Sequence, residues 1–582
     1  MLPAAPTPRP FVRSVALEAL RTESFDLTVI GGGITGAGVA LDAAARGMRV
    51  ALIDAGDFSS GTSSKSSKLI HGGLRYLQQG EIGLVYQALA ERQRLLRNAP
   101  HLVKLLPFLI PMFGSGGVIP AKISRLLGSA MWGYDLTGGW RVGKRHERLD
   151  FDQALALMPT LPPDRLVSAY LYYDAAADDS RLVVTVLRTA VLEFGAACAN
   201  HVRAVGLRKD GQGVVDGVDV EVLDPGSGTG GPERFTISTR AVVNASGVWS
   251  DQVRTLDEGA DPDSIRPAKG IHITVPWSKV RNQVAAVVPV PGDKRSVFVI
   301  PNGDLTYIGT TDTDYDGPVD DPQCSAEDVA YLLSAINAAS TEQLGPSDVV
   351  GSWAGLRPLV KAPDADGPAE GRTADLSRRH RVAVSPSGVI TITGGKLTTY
   401  REMAADTVDE AIESVLARRP GFAGYGSSPT RDLALRGAAG HDTVHDAAEI
   451  YPRVDREHLD HLAGRYGGEA RVIMASIEAD PTLGEPLVVG LPYLRAEAIF
   501  AVRHEMARSV DDVLSRRTRA RLLGRDDSAA AADDVAALIA EELGWDEPTA
   551  AASAEAYRRS VAHERESADL PDVLHCETIA VR

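Results

Sequence analysis

"DLTVIGGGITGAGVALDAAARGMRVALID", residues 26–54, decides the first layer of the fold. Its opening piece, "LTVI", is a short apolar run rich in β-branched residues that ends abruptly in glycines, as a buried parallel strand does. From Ile34 to Arg46 the apolar positions Ile34, Ala37, Leu41 and Ala45 recur at helical spacing, and Gly47 stops the helix. "RVALID" reads as a second strand. A strand, helix, strand unit of this kind opens a doubly wound parallel sheet. Gly31, Gly33 and Gly36 form GxGxxG directly between strand and helix, the context the motif requires. Gly31 permits the tight turn, Gly33 lets backbone approach a pyrophosphate, and Gly36 allows close helix packing. Asp54, at the end of the second strand, is placed to accept hydrogen bonds from ribose hydroxyls.

These residues predict a dinucleotide site without separating NAD from FAD. A flavin reading needs further backbone for the isoalloxazine ring. Two glycine-punctuated strand ends suit that task, "NASGVWSD" (244–251) and "TITGGKLTTYREMA" (391–404). In the second, Gly394 and Gly395 precede a helical run, so another helix N-terminus is directed at a ligand.

The 582 residues carry 61 basic and 77 acidic side chains, a net charge of −16, which argues against a general nucleic-acid binder. Cys198, Cys324 and Cys576 are far apart and form neither a CxxC metal site nor a disulfide framework, so a reduced, cytoplasmic setting is expected and no metal is. Residues 1–24 have a Pro/Ala-rich start, lack the apolar core of a signal peptide, and read as a loose arm. No stretch approaches the roughly 20 apolar residues of a membrane-spanning helix. Helix and strand alternate to about residue 430, and beyond 431 segments such as "VDREHLDHLAGRYG" and "DDVAALIAEELG" read as helices with little strand between them.

"TSSKSSKLIHGGLRYL", residues 62–77, is the stretch least like packing material: its paired glycines and Lys65, Lys68, His71 and Arg75 suit a loop that approaches an anion. Taken with "VIGGGITGAGVALDAAARG", "ALAERQRLL", "NASGVWSD", "FVIPNGDLTYIGTTDTDY", "AGLRPLV", "LSRRHRVAV" and "GGKLTTYREMA", it resembles the FAD-dependent, quinone-reducing glycerol-3-phosphate dehydrogenases, in family order from about residue 25 to 405. The helical "DDVLSRRTRARLL" extends the resemblance into the C-terminal region. The resemblance implies an α/β fold with an α+β substrate domain: a glutathione-reductase-type FAD-binding domain (25–98, 171–268 and 369–430) interleaved with an antiparallel-sheet substrate domain (99–170 and 269–368), then an all-α C-terminal domain (431–582). Asp54 departs slightly from the Glu common in close relatives, and either acid binds ribose.

By the same resemblance FAD is held by Gly31, Gly33, Gly36, Asp54, Thr62, Ser63, Gly72, Gly247, Gly395, Lys396 and Leu397. The substrate phosphate falls to Arg75, Arg357 and Arg378, with Tyr76 and Thr398 adding hydroxyls, since an arginine fork binds two phosphate oxygens at once. Lys65 and Lys68 read as solvated loop charges. The reaction removes hydride from C2 of sn-glycerol 3-phosphate while a base takes the hydroxyl proton. His71 suits that base, because a histidine titrates near neutrality. Lys396 competes for the role, and Arg357 is placed to polarise the C2 oxygen. Thr310, Thr311 and Asp312 read as a strand end or turn, Trp249 and Trp353 as core, and "RRTR" (516–519) as a solvated or interdomain face.

Residues 100–146 are apolar, aromatic and basic with almost no acids, which suits contact with an anionic bilayer. A peripheral enzyme at the inner face of the cell membrane, passing electrons to quinone, is expected, and a homodimer with it. A soluble oxidase using oxygen, an FAD-dependent RNA-modifying protein and a non-catalytic flavin protein are the alternatives.

Overall fold

The chain is described here by a computed structural model covering residues 7–73, 81–114, 144–223, 233–293, 295–361 and 380–574. Its first sheet has six strands in the order Arg381–Val384, Val389–Thr393, Val242–Asn244, Leu27–Ile30, Val50–Ile53, Ala197–Ala199. All neighbours run parallel except the first pair. Leu27–Ile30 lies centrally and every residue of it is buried, which is why it is rich in apolar and β-branched residues. The helix Ile34–Ala45 follows and is buried along most of its length, between the helices Asp179–Leu192 and Tyr400–Glu410.

The second sheet is a ten-stranded, largely antiparallel layer. Its main path runs Thr313–Asp314, Ile265–Pro276, Leu305–Gly309, Ser296–Asn302, Ala285–Pro289, Lys104–Phe113, Leu166–Ala176, Leu69–Ile70, with Gly351–Val360 on Ile265–Pro276 and Glu147–Leu149 on Leu166–Ala176. A third, four-stranded sheet joins Ser24–Phe25, Glu233–Thr239, Val215–Val222 and Val202–Lys209. Two of the expected domain limits fall inside strands: Leu166–Ala176 spans the 170/171 boundary and Ile265–Pro276 the 268/269 boundary. A strand shared across a ladder cannot be divided without breaking its hydrogen bonds, so the lobes are joined through continuous strands.

Three readings change against the structure. Residues 13–22 are a helix, Arg13–Thr22, and Phe11, Leu17 and Leu20 enter the main core, so this part of the expected loose arm is packed down. Arg9 fastens it further by pairing with Glu23 at 2.6 Å. Of the apolar, basic stretch 100–146, Lys104–Phe113 is a strand whose residues 108–113 are buried against other strands. There the apolar character is core, not bilayer contact, and residues 115–143 lie outside the described residues. No helix among the described residues is long and apolar enough to cross a membrane.

The C-terminal region is helical, with Arg456–Tyr466, Ala470–Ala479, Arg495–Glu505, Ala532–Leu543 and Glu547–Ser567, and its first helices pack on a core of their own that includes Leu462, Ile473 and Phe500. Val510, Leu514, Leu522 and Tyr557 share one apolar core with Leu69, Phe108, Tyr172 and Trp353 of the ten-stranded sheet. Burial of that common surface seats the later part of the C-terminal region on the sheet.

Candidate active site

The glycine turn is built by close contact. Gly31 has φ +113°, and a Cβ there would lie 2.6 Å from the Ala245 carbonyl oxygen. A Cβ on Gly36 would lie 1.8 Å from the Gly31 carbonyl oxygen, so only hydrogen fits. The Gly32 N–H donates to Asp54 Oδ2 at 2.6 Å and the Gly56 N–H to Oδ1 at 2.8 Å. Burial pushes the Asp54 carboxyl up to about 6, against the lowering effect of those two N–H groups. Ser63 Oγ accepts the Ile34 N–H at 2.9 Å, and Ala245 and Ser246 lie against Gly31, which brings Gly247 (φ +62°) to the same place.

A cavity of about 210 Å³ opens between the two large sheets, lined among others by Thr62, His71, His272, Arg357, Lys396 and Thr398. Gly395 and Leu397 also border it. Thr62 and Ser63 therefore join the two places: Ser63 caps the glycine turn while Thr62 borders the cavity and donates to the Leu356 carbonyl at 2.6 Å. The glycine turn, the helix N-terminus, the acid at the strand end and an open cavity beyond them fit the elongated shape and donor needs of FAD.

Side chains in the cavity are held by named partners. Arg357, on Gly351–Val360, pairs with Asp312 at 3.1 Å and also donates to Thr310 Oγ1 and the Thr311 carbonyl. The 310–312 turn therefore orients an arginine. Thr398 Oγ1 accepts the His71 N–H at 3.1 Å, fixing the histidine backbone against the 3₁₀ turn Leu397–Thr399 that follows the strand Val389–Thr393. Gly72 is buried, its N–H goes to Asp174 at 3.1 Å, and it is not among the cavity-lining residues. Arg75, Tyr76 and Arg378 lie outside the described residues.

Two lysine readings are corrected. Lys68 is buried, with its Nζ 4.4 Å from the Trp353 ring centre and 3.5 Å from Asp179. Burial lowers its pKa to about 8, with Asp179 opposing the change. Lys65 is partly buried and lines the cavity, and burial lowers its pKa as well. Neither is a solvated charge, because the loop 65–68 is pinned between the 3₁₀ turn Thr62–Ser64 and the strand Leu69–Ile70, with Lys68 buried and Lys65 against the cavity.

His272 was missed by sequence reasoning. It stacks on Trp353 with ring centres 4.8 Å apart and hydrogen-bonds Ser67 Oγ through Nε2 at 2.8 Å. Burial, then the charges of Lys68 and Arg357, hold its pKa well below the ordinary histidine value, so it is neutral at pH 7. Its only signal in the sequence is a titratable ring inside the apolar strand "GIHITV". Asp57, His201 and Asp512 also cluster at metal-ligand spacing, but Arg516 and Arg517 both reach Asp57 at 2.7 Å and occupy the carboxylate.

Residues 26–401 match the family described as "FAD dependent oxidoreductase", and residues 428–550 match the "C-terminal domain of alpha-glycerophosphate oxidase". "Glycerol-3-phosphate dehydrogenase 2" of Mycobacterium tuberculosis is 38% identical over 540 residues, 92% of this chain and 88% of that protein. The chain belongs to the FAD-dependent glycerol-3-phosphate dehydrogenase family. A second relative of that family, "Glycerol-3-phosphate dehydrogenase 1" of the same organism, is 40% identical over 527 residues, 88% of this chain and 95% of the relative. The glycerol-3-phosphate dehydrogenase of Bacillus halodurans, solved in complex with FAD, superposes with a TM-score of 0.72 at 28% identity, covering 95% of this chain and 97% of that one. The expected fold class and the FAD assignment agree with this family membership, and the cofactor is FAD.

Proposed function

We propose that this chain oxidises sn-glycerol 3-phosphate to dihydroxyacetone phosphate and that a membrane quinone is the final electron acceptor. The observation that carries the reading is the meeting of Arg357, His71, Lys396 and neutral His272 around one cavity beside Gly395. Bound FAD supplies the hydride acceptor for C2 of the substrate. Arg357, aimed by Asp312 and Thr310, binds substrate oxygen as a planar fork, and Arg75, Arg378 and Tyr76 complete the phosphate site. Several cationic donors are needed there, since an unpartnered phosphate dianion is costly to desolvate. His71 takes the C2 hydroxyl proton as the hydride leaves, so the alcohol loses one proton and one hydride and becomes the ketone. Lys396 and Arg357 stabilise the negative charge that grows on the C2 oxygen, and Thr398 keeps His71 in place through its backbone.

Gly31, Gly33, Gly36, Asp54, Ser63 and Gly247 serve the adenosine and pyrophosphate half, while Thr62, Gly395, Lys396 and Leu397 border the flavin ring and Gly72, next to His71, lies on the flavin side. The enzyme works as a homodimer at the cytoplasmic face of the cell membrane, where quinone is available. The relatives' names support a dehydrogenase, whereas the C-terminal match to an oxidase domain keeps oxygen as the competing acceptor.

The deciding experiment is the anaerobic visible spectrum before and after sn-glycerol 3-phosphate, with glycerol and glycerol 1-phosphate as controls. Selective bleaching of the flavin band is expected, and a band that persists overturns the substrate assignment. Peroxide released in stoichiometric yield under air, with no quinone reduction, would move the acceptor to oxygen. His71→Ala is expected to keep flavin and reduce it slowly, with partial recovery at high pH. Reduction at the wild-type rate would remove His71 from the role of base.

A further inference from the structure

The segment "RRTRARLLGR", residues 516–525, belongs to the C-terminal helices yet lies between the two lobes that make the cavity. Toward the first sheet, Arg517 forks onto Asp57 at 2.7 and 2.8 Å. Toward the second, the Leu522 carbonyl accepts from Thr274 Oγ1 at 2.7 Å and the Arg525 N–H donates to the Val350 carbonyl at 2.8 Å. Arg521 adds a third tie through Glu564, which accepts from Ser352 Oγ at 3.0 Å. Thr274 and Ser352 lie on the strands that carry His272 and Arg357. The segment is therefore fixed to the sheet behind the cavity.

From this frame Arg519 reaches the cavity loop. It is buried, at φ +74°, and donates to the Ser64 carbonyl and to Asp179 Oδ1, the latter at 3.2 Å. Asp179 Oδ2 in turn accepts the Ser66 N–H at 3.0 Å and the Ser66 hydroxyl at 2.7 Å, with Lys68 Nζ at 3.5 Å. Both ends of the short loop 64–68 are thus tied to one guanidinium, directly or through one carboxylate. Between those ends lie Lys65, Ser66 and Ser67, which line the cavity, and Ser67 holds His272.

We propose that Arg519 is a positioning residue for the reaction, setting the Ser64–Lys68 loop, and through Ser67 the His272 ring, at the distance the chemistry requires. The proposal rests on the functional reading above and gives the C-terminal helices a task in it. Burying a guanidinium is costly unless it is paired, and Arg519 is held in one arrangement by Nη2 on the Ser64 carbonyl and Asp179 and by Nη1 on the Ser515 carbonyl, its Nε alone having no hydrogen-bond partner among the described residues. Displacement of catalytic groups by about 1 Å costs up to roughly a hundredfold in rate.

The test compares holoenzymes of wild type, Arg519→Gln, Arg519→Lys and Arg436→Gln. Arg436 also bridges the C-terminal part to the first lobe, through Glu193 at 2.7 Å and Glu469 at 2.9 Å, but makes no contact with the loop. Three readouts are taken: flavin content, the limiting rate of anaerobic bleaching by sn-glycerol 3-phosphate, and hydrogen exchange of the peptide 59–70. For R519Q we expect unchanged flavin content, bleaching slower by roughly 10- to 100-fold, and faster exchange in that peptide. R519K should recover part of the rate, and R436Q should match wild type in both rate and loop exchange. A wild-type rate in R519Q, or the same two losses in R436Q, overturns the proposal. Should R519Q yield no folded holoenzyme, R519K decides: an intermediate rate supports the role and a wild-type rate ends it. If wild-type flavin is not bleached at all, the functional reading fails separately, and unchanged exchange of the loop in R519Q or R519K would then overturn the positioning role.

Discussion

The glycine turn and the cavity are close neighbours built on opposite plans. The turn needs only residues 27–63 and one abutting strand end, and its shape is dictated by backbone contacts at Gly31 and Gly36. The cavity draws His71, His272, Arg357 and Lys396 from four distant segments, with Arg357 held by Asp312, His272 by Ser67 and the His71 backbone by Thr398. A site made by local sterics tolerates almost no change at its few glycines. One made by converging side chains should lose function in graded steps.

Breaking the turn should give the largest effect. Gly36→Ala puts a methyl group 1.8 Å from the Gly31 carbonyl oxygen, and neither backbone can yield without moving the strand. We expect FAD affinity to fall by about 3 kcal/mol or more, roughly a hundredfold, measured as flavin retained through purification and by titration of apoprotein. Full flavin content in this variant would mean that the turn is not governed by that contact.

In the cavity, Arg357→Ala should come next. Charge-assisted hydrogen bonds contribute about 1.5–3 kcal/mol each, so kcat/KM should fall about 100-fold while flavin stays bound. Asp312→Asn tests the support beneath it. The arginine remains, but its carboxylate partner at 3.1 Å is lost, and a drop of about tenfold is expected. Equal losses in the two variants would erase the distinction between contact and orientation. Thr398→Val is smaller still: it removes one neutral hydrogen bond to the His71 backbone, a net of about 1 kcal/mol or roughly fivefold in rate.

The same contrast explains what the chain reveals before it is folded. The dinucleotide turn was legible because its strand, glycines, helix and acid are contiguous and each has a steric reason. Arg357 was legible through the family resemblance of "AGLRPLV", and the fold brings it to the cavity lining with Asp312 beside it. His272 was not legible, since a histidine in an apolar strand looks the same whether it packs or faces a ligand. Lys68 misled for a related reason: lysines are usually solvated, and only the tertiary placement of Trp353 and Asp179 shows this one buried. Residues 104–113 misled because an apolar run has the same composition in a core strand as at a membrane surface. The arginines of 516–519 need partners more than 300 residues away, which no local pattern records.

A histidine outside both sites should leave flavin binding and rate untouched, the smallest expected effect on function, and gives the sharpest control. His101 is buried between the Gly437 and Gly467 backbones, and burial, aided by His441 and Lys104, lowers its pKa from 6.5 to about 4. Above pH 6.5 the imidazole is neutral in both folded and unfolded chains and costs nothing. As pH falls from 6.5 toward 4 the unfolded chain takes up a proton that the folded one refuses, so stability present at neutral pH is lost across that window, by at most about 3 kcal/mol. Carboxylates titrate in the same range, Asp54 among them, so the quantity to measure is the difference between wild type and His101→Gln in thermal unfolding from pH 7 to pH 4.5. The variant should lose less stability on acidification, while its flavin content and its rate of reduction at pH 7 stay those of wild type. Parallel pH curves would show that His101 is protonated without cost in the fold. A changed reduction rate would show that the frame at Gly437 and Gly467 reaches the cavity, and that the two sites are less separate than their construction implies.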